Sequence, residues 1–153
     1  MAMLVKFVRK IVSKTVLYTC VIHCIYEYLG DIVVCAGPSM EPTLRTNDVL
    51  LTERISVRTE NVRKGDIVVS KCPSDPKQHI CKRVIGLPGD KLKNGIIVPN
   101  GHVWLEGDNS NNSNDSREYG VVPQGLLRGR AFCKILPLRD VTFFVRDNTK
   151  PPD

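Results

Sequence analysis

From Gly37 onward the chain is a succession of short runs rich in β-branched residues, separated by Pro, Gly, Asn and Asp, with no helical period long enough to compete. The runs are Val49 to Thr52, Asp66 to Ser70, His79 to Ile85, Ile96 to Val98, His102 to Glu106, Gly129 to Leu136 and Val141 to Arg146. Segments of this length and composition, bounded by turn residues, form strands. The expected fold is therefore mostly β: a single domain of antiparallel or mixed strands over 37–147, with a tail at 148–153. No internal repeat is visible, and 153 residues suffice for one domain with a real core.

Residues 1–36 have a different texture. Lys6, Lys10 and Lys14 recur at helical spacing with Leu4, Val8 and Ile11 on another face, and the first acidic residue is Glu27. This is the pattern of a basic amphipathic targeting helix, which a surface helix also shows. The apolar stretch from Val16 to Leu29 is interrupted by His23 and Glu27, and it is shorter than the roughly 20 residues a bilayer core requires. Extending it to Ala36 reaches that length only by accepting Glu27 and Asp31. An imperfect membrane helix and an interfacial helix both fit, and the expectation is a membrane-anchoring segment ahead of the β domain.

Charge narrows the function classes. Of the net +6, four charges belong to Lys6, Arg9, Lys10 and Lys14, so only two remain for everything beyond Lys14. A nucleic-acid binder needs a basic stripe on its folded domain, and no nucleic-acid partner is expected. The six cysteines include no CxxC, and their spacing is too sparse for a disulfide scaffold.

Two segments could carry chemistry. Pro38 and Pro42 bracket Ser39 and restrict the backbone around its hydroxyl, although a serine in such a setting is commonly a turn residue. Lys82, if it lies on a strand, shares a face with Ile80 and Val84. Either that face is desolvated and the amine loses its preference for charge, or the strand lies at an edge and the amine reaches water. A neutral lysine can take the proton of a serine hydroxyl and replace a histidine base. His23, His79 and His102 lie outside both the serine segment and the polar stretch Gly107 to Gly120.

Four segments in order then resemble the signal peptidase I family: Pro38-Ser39-Met40-Glu41-Pro42-Thr43-Leu44; Gly65-Asp66-Ile67-Val68-Val69; Lys82-Arg83-Val84-Ile85-Gly86-Leu87-Pro88-Gly89-Asp90; and Gly107-Asp108-Asn109 continuing through Asn112-Ser113, Asp115-Ser116-Arg117 and Gly120. The resemblance covers about Gly37 to Arg130. It implies a signal-peptidase-like β domain in which Ser39 is nucleophile, Lys82 is general base, Ser113 orients the lysine amine, and Asp115 with Arg117 forms a supporting ion pair. It implies no cofactor and no metal.

The short chain, the Ser74-Asp75-Pro76-Lys77 turn and the Gly101 to Glu106 segment are most similar to the mitochondrial inner-membrane members of that family. This implies a membrane-bound endopeptidase facing the intermembrane space. Its partners would be protein and peptide substrates with cleavable sorting signals, a second related peptidase subunit in a heterodimer, and the membrane. Extended peptides would bind by strand addition, with compact residues just before the cut.

Two positions depart from the bacterial pattern: Gly37 stands where a serine hydroxyl would serve the oxyanion hole, and Glu118 stands where an aromatic is usual. Asn111-Asn112-Ser113 and Asn114-Asp115-Ser116 are glycosylation sequons inside the polar stretch. A glycan there would obstruct the site, so the domain is expected to avoid the secretory lumen. Two other readings compete. A self-cleaving repressor shares the Ser/Lys core, but the first 36 residues are too few and too apolar for its DNA-binding module. A non-catalytic scaffold subunit would retain the segments and tolerate loss of Ser39 or Lys82.

Overall fold

The structure is a computed structural model and describes residues 2–24, 27, 30–93 and 95–146. Helix α1 (Ala2–Cys24) leads, its described side chains exposed along its length. It is 23 residues long, yet among the described residues no helix is long and apolar enough to cross a membrane. Residues 147–153, which hold the end of the expected domain and its tail, lie outside the described residues.

Strands β1 (Ile32–Val34), β2 (Val49–Glu53), β3 (Ile67–Lys71), β4 (His79–Gly86), β5 (His102–Glu106), β6 (Val122–Pro123) and β7 (Leu127–Leu136) form one sheet in the order β1-β2-β7-β3-β4-β5-β6, and β8 (Thr142–Phe143) pairs with β7. Short helices α2 (Ile55–Arg58) and α3 (Ser116–Tyr119) lie between strands. Every ladder among the described residues is antiparallel, so of the two strand arrangements expected the mixed one does not occur.

Several segments depart from the sequence reading. Ile32–Val34, counted there within the apolar N-terminal stretch, is an edge strand registered against Val49–Leu51. Ile96 to Val98 makes only an isolated bridge, Ile97 to Lys91, because the chain folds back through Gly95 at φ 83°. Of Val141 to Arg146 only Thr142–Phe143 is strand; Arg146 then bonds Asp66 Oδ2 at 2.7 Å and the Asn61 carbonyl at 2.7 Å, drawing the chain off β7.

Strand alternation splits the core into two clusters. Val68, Val84, Val103, Leu105, Val122 and Leu127 pack together with Val62 on one face. Leu50, Ile67 and Ala131 pack on the other with Cys35, Met40 and Leu44. Ile67 and Val68 are neighbours on β3 and belong to opposite clusters, as a central strand buried on both faces requires. The second cluster fixes the serine segment, because Met40 and Leu44 are 3% and 1% exposed and one turn apart, with Leu44 N–H donating to Met40 O at 2.9 Å. Burying each side chain stabilises the fold by roughly 1.5–3 kcal/mol, which holds Ser39 beside the sheet.

Candidate active site

Lys82 sits in the middle of β4, paired with Val68 of β3, and is 3% exposed. The edge-strand alternative, with its amine in water, is therefore not the one realised. Desolvation lowers its pKa from the ordinary lysine value, against the pull of the Asp115 carboxylate in the other direction.

The amine has a defined partner. Lys82 Nζ donates to Ser113 Oγ at 2.8 Å, and Ser113 Oγ donates to Asp115 Oδ2 at 2.6 Å. A serine hydroxyl has one proton. With that proton engaged in the bond to Asp115, Ser113 can only accept from Lys82, and a neutral Lys82 keeps its lone pair free for another proton.

Asp115 is held as an acceptor by its surroundings. It receives the Gly107 N–H at 2.8 Å, Arg117 Nε at 2.8 Å and Arg117 Nη2 at 2.6 Å. It is also the N-cap of α3, accepting the Arg117 N–H at 3.2 Å. Burial alone would raise its pKa; the bonds from Arg117, Gly107 and Ser113 outweigh that and hold it far below the usual carboxylate range. The Arg117 guanidinium is correspondingly raised by the hydrogen bond to Asp115.

Ser39 comes to the same place from the other side. Ser39 and Lys82 line one cleft of about 360 Å³. Gly107 has no room for a side chain: a Cβ there would stand 2.2 Å from Ser113 Oγ and 2.4 Å from Ser39 O. The bare Cα of Gly107 is thus the spacer against which the Ser39 backbone and the Ser113 hydroxyl both rest. All five residues singled out in the sequence, Ser39, Lys82, Ser113, Asp115 and Arg117, meet around this point.

Sequence reasoning assigned no roles to a second set of groups that fixes the serine turn. Asn109 N–H donates to Ser39 O at 3.1 Å and Asn109 Nδ2 to Pro38 O at 3.1 Å. Thr43 Oγ1 donates to Asp108 Oδ2 at 2.5 Å, while Arg83 Nε and Nη2 donate to the same carboxylate at 2.8 and 2.7 Å. Arg83 follows Lys82 on β4 and Thr43 follows Ser39 in its turn, so Asp108 ties together the two segments that carry Ser39 and Lys82. The signal was present in the Gly107-Asp108-Asn109 and Lys82-Arg83 segments, but which side chains meet depends on the fold.

The cleft has two open strand edges. Cys35 N–H bonds Asp48 O at 2.8 Å and Asn47 N–H bonds Cys35 O at 2.9 Å, so by strand alternation the N–H and C=O groups of Val34 and Ala36 face away from that pairing. On the far wall, Cys72 N–H bonds Gln78 O and Val84 N–H bonds Asp66 O, both at 2.9 Å, which turns the groups of His79 and Cys81 away from β3. The β4–β5 ladder begins only at Arg83. Gly37, between β1 and the serine, has φ 91°, a conformation that favours glycine.

The chain is similar to known proteins over most of its length. Residues 8–96 and 91–136 match the family described as signal peptidase, peptidase S26. The chain is 52% identical over 143 residues to mitochondrial inner membrane protease subunit 1 of Homo sapiens, covering 88% of this chain and 86% of that protein. It is 43% identical over 125 residues to the subunit 1 of Schizosaccharomyces pombe, covering 76% and 80%. Its identity to mitochondrial inner membrane protease subunit 2 of Danio rerio is 40% over 124 residues, covering 74% of this chain and 68% of that protein. With the family match running through most of the β domain and 52% identity to a relative matched over 86% of its length, the chain belongs to the signal peptidase S26 family.

Proposed function

We propose that this chain cleaves sorting signals from proteins delivered to the mitochondrial intermembrane space, with Ser39 as nucleophile and Lys82 as general base. The observation that carries the reading is the buried Lys82 amine, held by a Ser113 hydroxyl that can only accept from it, beside a serine locked in a turn.

The chemistry follows from those groups. Lys82 accepts the Ser39 Oγ proton as Oγ bonds to the scissile carbonyl carbon. The resulting oxyanion takes the Ser39 N–H as one donor. Collapse breaks the C–N bond, the lysine ammonium gives its proton to the leaving amine, and Ser39 is left as an ester. Water then attacks the ester with Lys82 again as base, which releases the second product and restores the serine. Desolvation of Lys82 raises the neutral fraction of the amine that takes the proton in the first step.

A peptide extended between the edges at Val34/Ala36 and His79/Cys81 would add a strand to each and bring its carbonyl to Ser39. The protein acts at the mitochondrial inner membrane, as its relatives' names state, and Lys6, Arg9, Lys10 and Lys14 on α1 give it affinity for anionic lipid. The likeness to both subunit 1 and subunit 2 proteins supports a heterodimer with a related second peptidase subunit.

The test is complementation. Mitochondria carrying Ser39→Ala in place of the wild-type chain should accumulate uncleaved forms of intermembrane-space proteins. An added protease should digest the β domain once the outer membrane is opened and spare it while that membrane is intact. Normal maturation with Ser39→Ala would return the scaffold reading to the front, and resistance after outer-membrane rupture would reverse the orientation.

A further inference from the structure

Cys35 and Cys81 are absent from the chemistry above, yet they occupy its approach. Cys35 lies four residues before Ser39 and Cys81 immediately precedes Lys82, and both line the cleft. Cys35 is buried in the cluster that holds Met40 and Leu44, and Cys81 packs against that cluster from the opposite wall. The two side chains adjoin within that cluster, close enough for each thiol to shift the other's pKa. The pairing holds the Cys35 pKa below the usual thiol value and is the largest cause of the rise in Cys81. A thiolate-prone sulfur beside a second thiol is the arrangement from which a disulfide closes.

We propose that Cys35 and Cys81 form a reversible disulfide across the floor of the cleft and that this bond excludes the substrate peptide. The inference rests on the strand-addition reading of the cleft. In the dithiol form no covalent bond joins Cys35 to Cys81. A strand paired on both sides needs its flanking backbones about 9.5 Å apart, twice the spacing between neighbouring strands. A disulfide holds its two Cα atoms within about 6.8 Å. The oxidised cleft is therefore too narrow for an inserted peptide, and Ser39 and Lys82 lose their substrate without being touched.

The oxidant is a small-molecule disulfide such as oxidised glutathione. Cys35 thiolate attacks one of its sulfurs and releases one glutathione thiolate. Cys81 then loses its proton and attacks the Cys35 sulfur of the mixed disulfide, releasing the second. One S–S bond forms in the protein and one breaks in the oxidant; the protein loses two electrons and two protons, and the glutathione pair gains them.

The experiment uses the full chain with its partner subunit in membranes, reduced with dithiothreitol or oxidised with glutathione disulfide. A fluorescent sorting-signal peptide reports binding and cleavage, and peptide mapping identifies the linked cysteines. The expected result is a Cys35–Cys81 link together with a fall of about tenfold or more in affinity and in kcat/KM, reversed by dithiothreitol. The ratio of oxidised to reduced activity should return to about one in Cys35→Ala and in Cys81→Ala, whatever the basal rate of each. The double variant Cys20→Ser/Cys24→Ser must keep the fall, because those two helix thiols also interact. Absence of the link, or a link that leaves binding unchanged in a chain that cuts when reduced, overturns the proposal. A reduced chain that neither binds nor cuts the peptide instead defeats the reading of the cleft itself, and the inference falls with it.

Discussion

Lys82 Nζ and Ser113 Oγ lie 2.8 Å apart in a hydrogen bond whose direction is fixed from outside the pair. Ser113 donates its only proton in a hydrogen bond to Asp115, and Asp115 is kept ionised by Arg117 and the Gly107 N–H. The lysine must be the donor. An amine that donates here and is desolvated elsewhere is prepared to act as a base, and the consequences can be measured.

The activity–pH profile should have a rising limb set by deprotonation of Lys82. Because burial lowers that pKa, the limb lies below the ordinary lysine value of about 10.4. Asp115 partly counteracts the lowering, so Asp115→Asn should move the limb to lower pH while also reducing kcat. A limb that moved to higher pH would mean that Asp115 does not act on Lys82 electrostatically.

Asp115 also carries a stability effect with a definite sign. Its folded pKa is depressed below the unfolded value, so its contribution is fully present above about pH 4 and is lost as the pH falls further. Asp115→Ala leaves the Gly107 N–H, the Ser113 hydroxyl and Arg117 without their acceptor. It should cost about 3 kcal/mol at neutral pH, read as a lower denaturation midpoint, and the gap to wild type should shrink on acidification below pH 4.

Gly107→Ala tests the spacer. The added methyl meets Ser113 Oγ and the Ser39 carbonyl at distances that no real Cβ tolerates, and one of the neighbours is backbone. The serine turn and the Ser113 loop must separate, and kcat should fall by about 10²-fold or more because small misplacements are that costly. Gly125, where a Cβ meets nothing within 4 Å, is the control, and Gly125→Ala should keep its rate.

How much of this was legible beforehand differs between fold and site. The strands Val49–Glu53, Ile67–Lys71, His79–Gly86 and His102–Glu106 were readable because each is a short run carrying β-branched residues and set off by turn residues. Ile32–Val34 was not, because an apolar triplet at an edge carries no periodicity and follows closely on the apolar stretch of the N-terminal sequence. Val122–Pro123 is two residues long and ends in proline, a breaker. The five proposed site residues were visible because their segments recur as a recognisable set. The bridge from Thr43 through Asp108 to Arg83 was not, since it joins residues 65 positions apart whose meeting only the folded chain reveals.

That bridge gives a further expectation. Thr43→Val keeps the shape of the side chain and removes its bond to Asp108, leaving the Arg83 pair in place. We expect a fall of about tenfold in kcat with KM little changed, as for a group that positions the nucleophile without touching the peptide. A change confined to KM would instead assign Thr43 to substrate binding.

The most direct measurement is cleavage of a sorting-signal peptide by the wild-type chain, Ser39→Ala and Lys82→Met, each with the partner subunit, with products followed by mass spectrometry across the pH range. Methionine at 82 fills the buried site without an amine, so loss of activity there is separable from loss of fold. Wild type should cut at one bond with a rate that rises with pH, and both variants should lose about 10³-fold or more. Comparable cleavage by either folded variant would contradict the account.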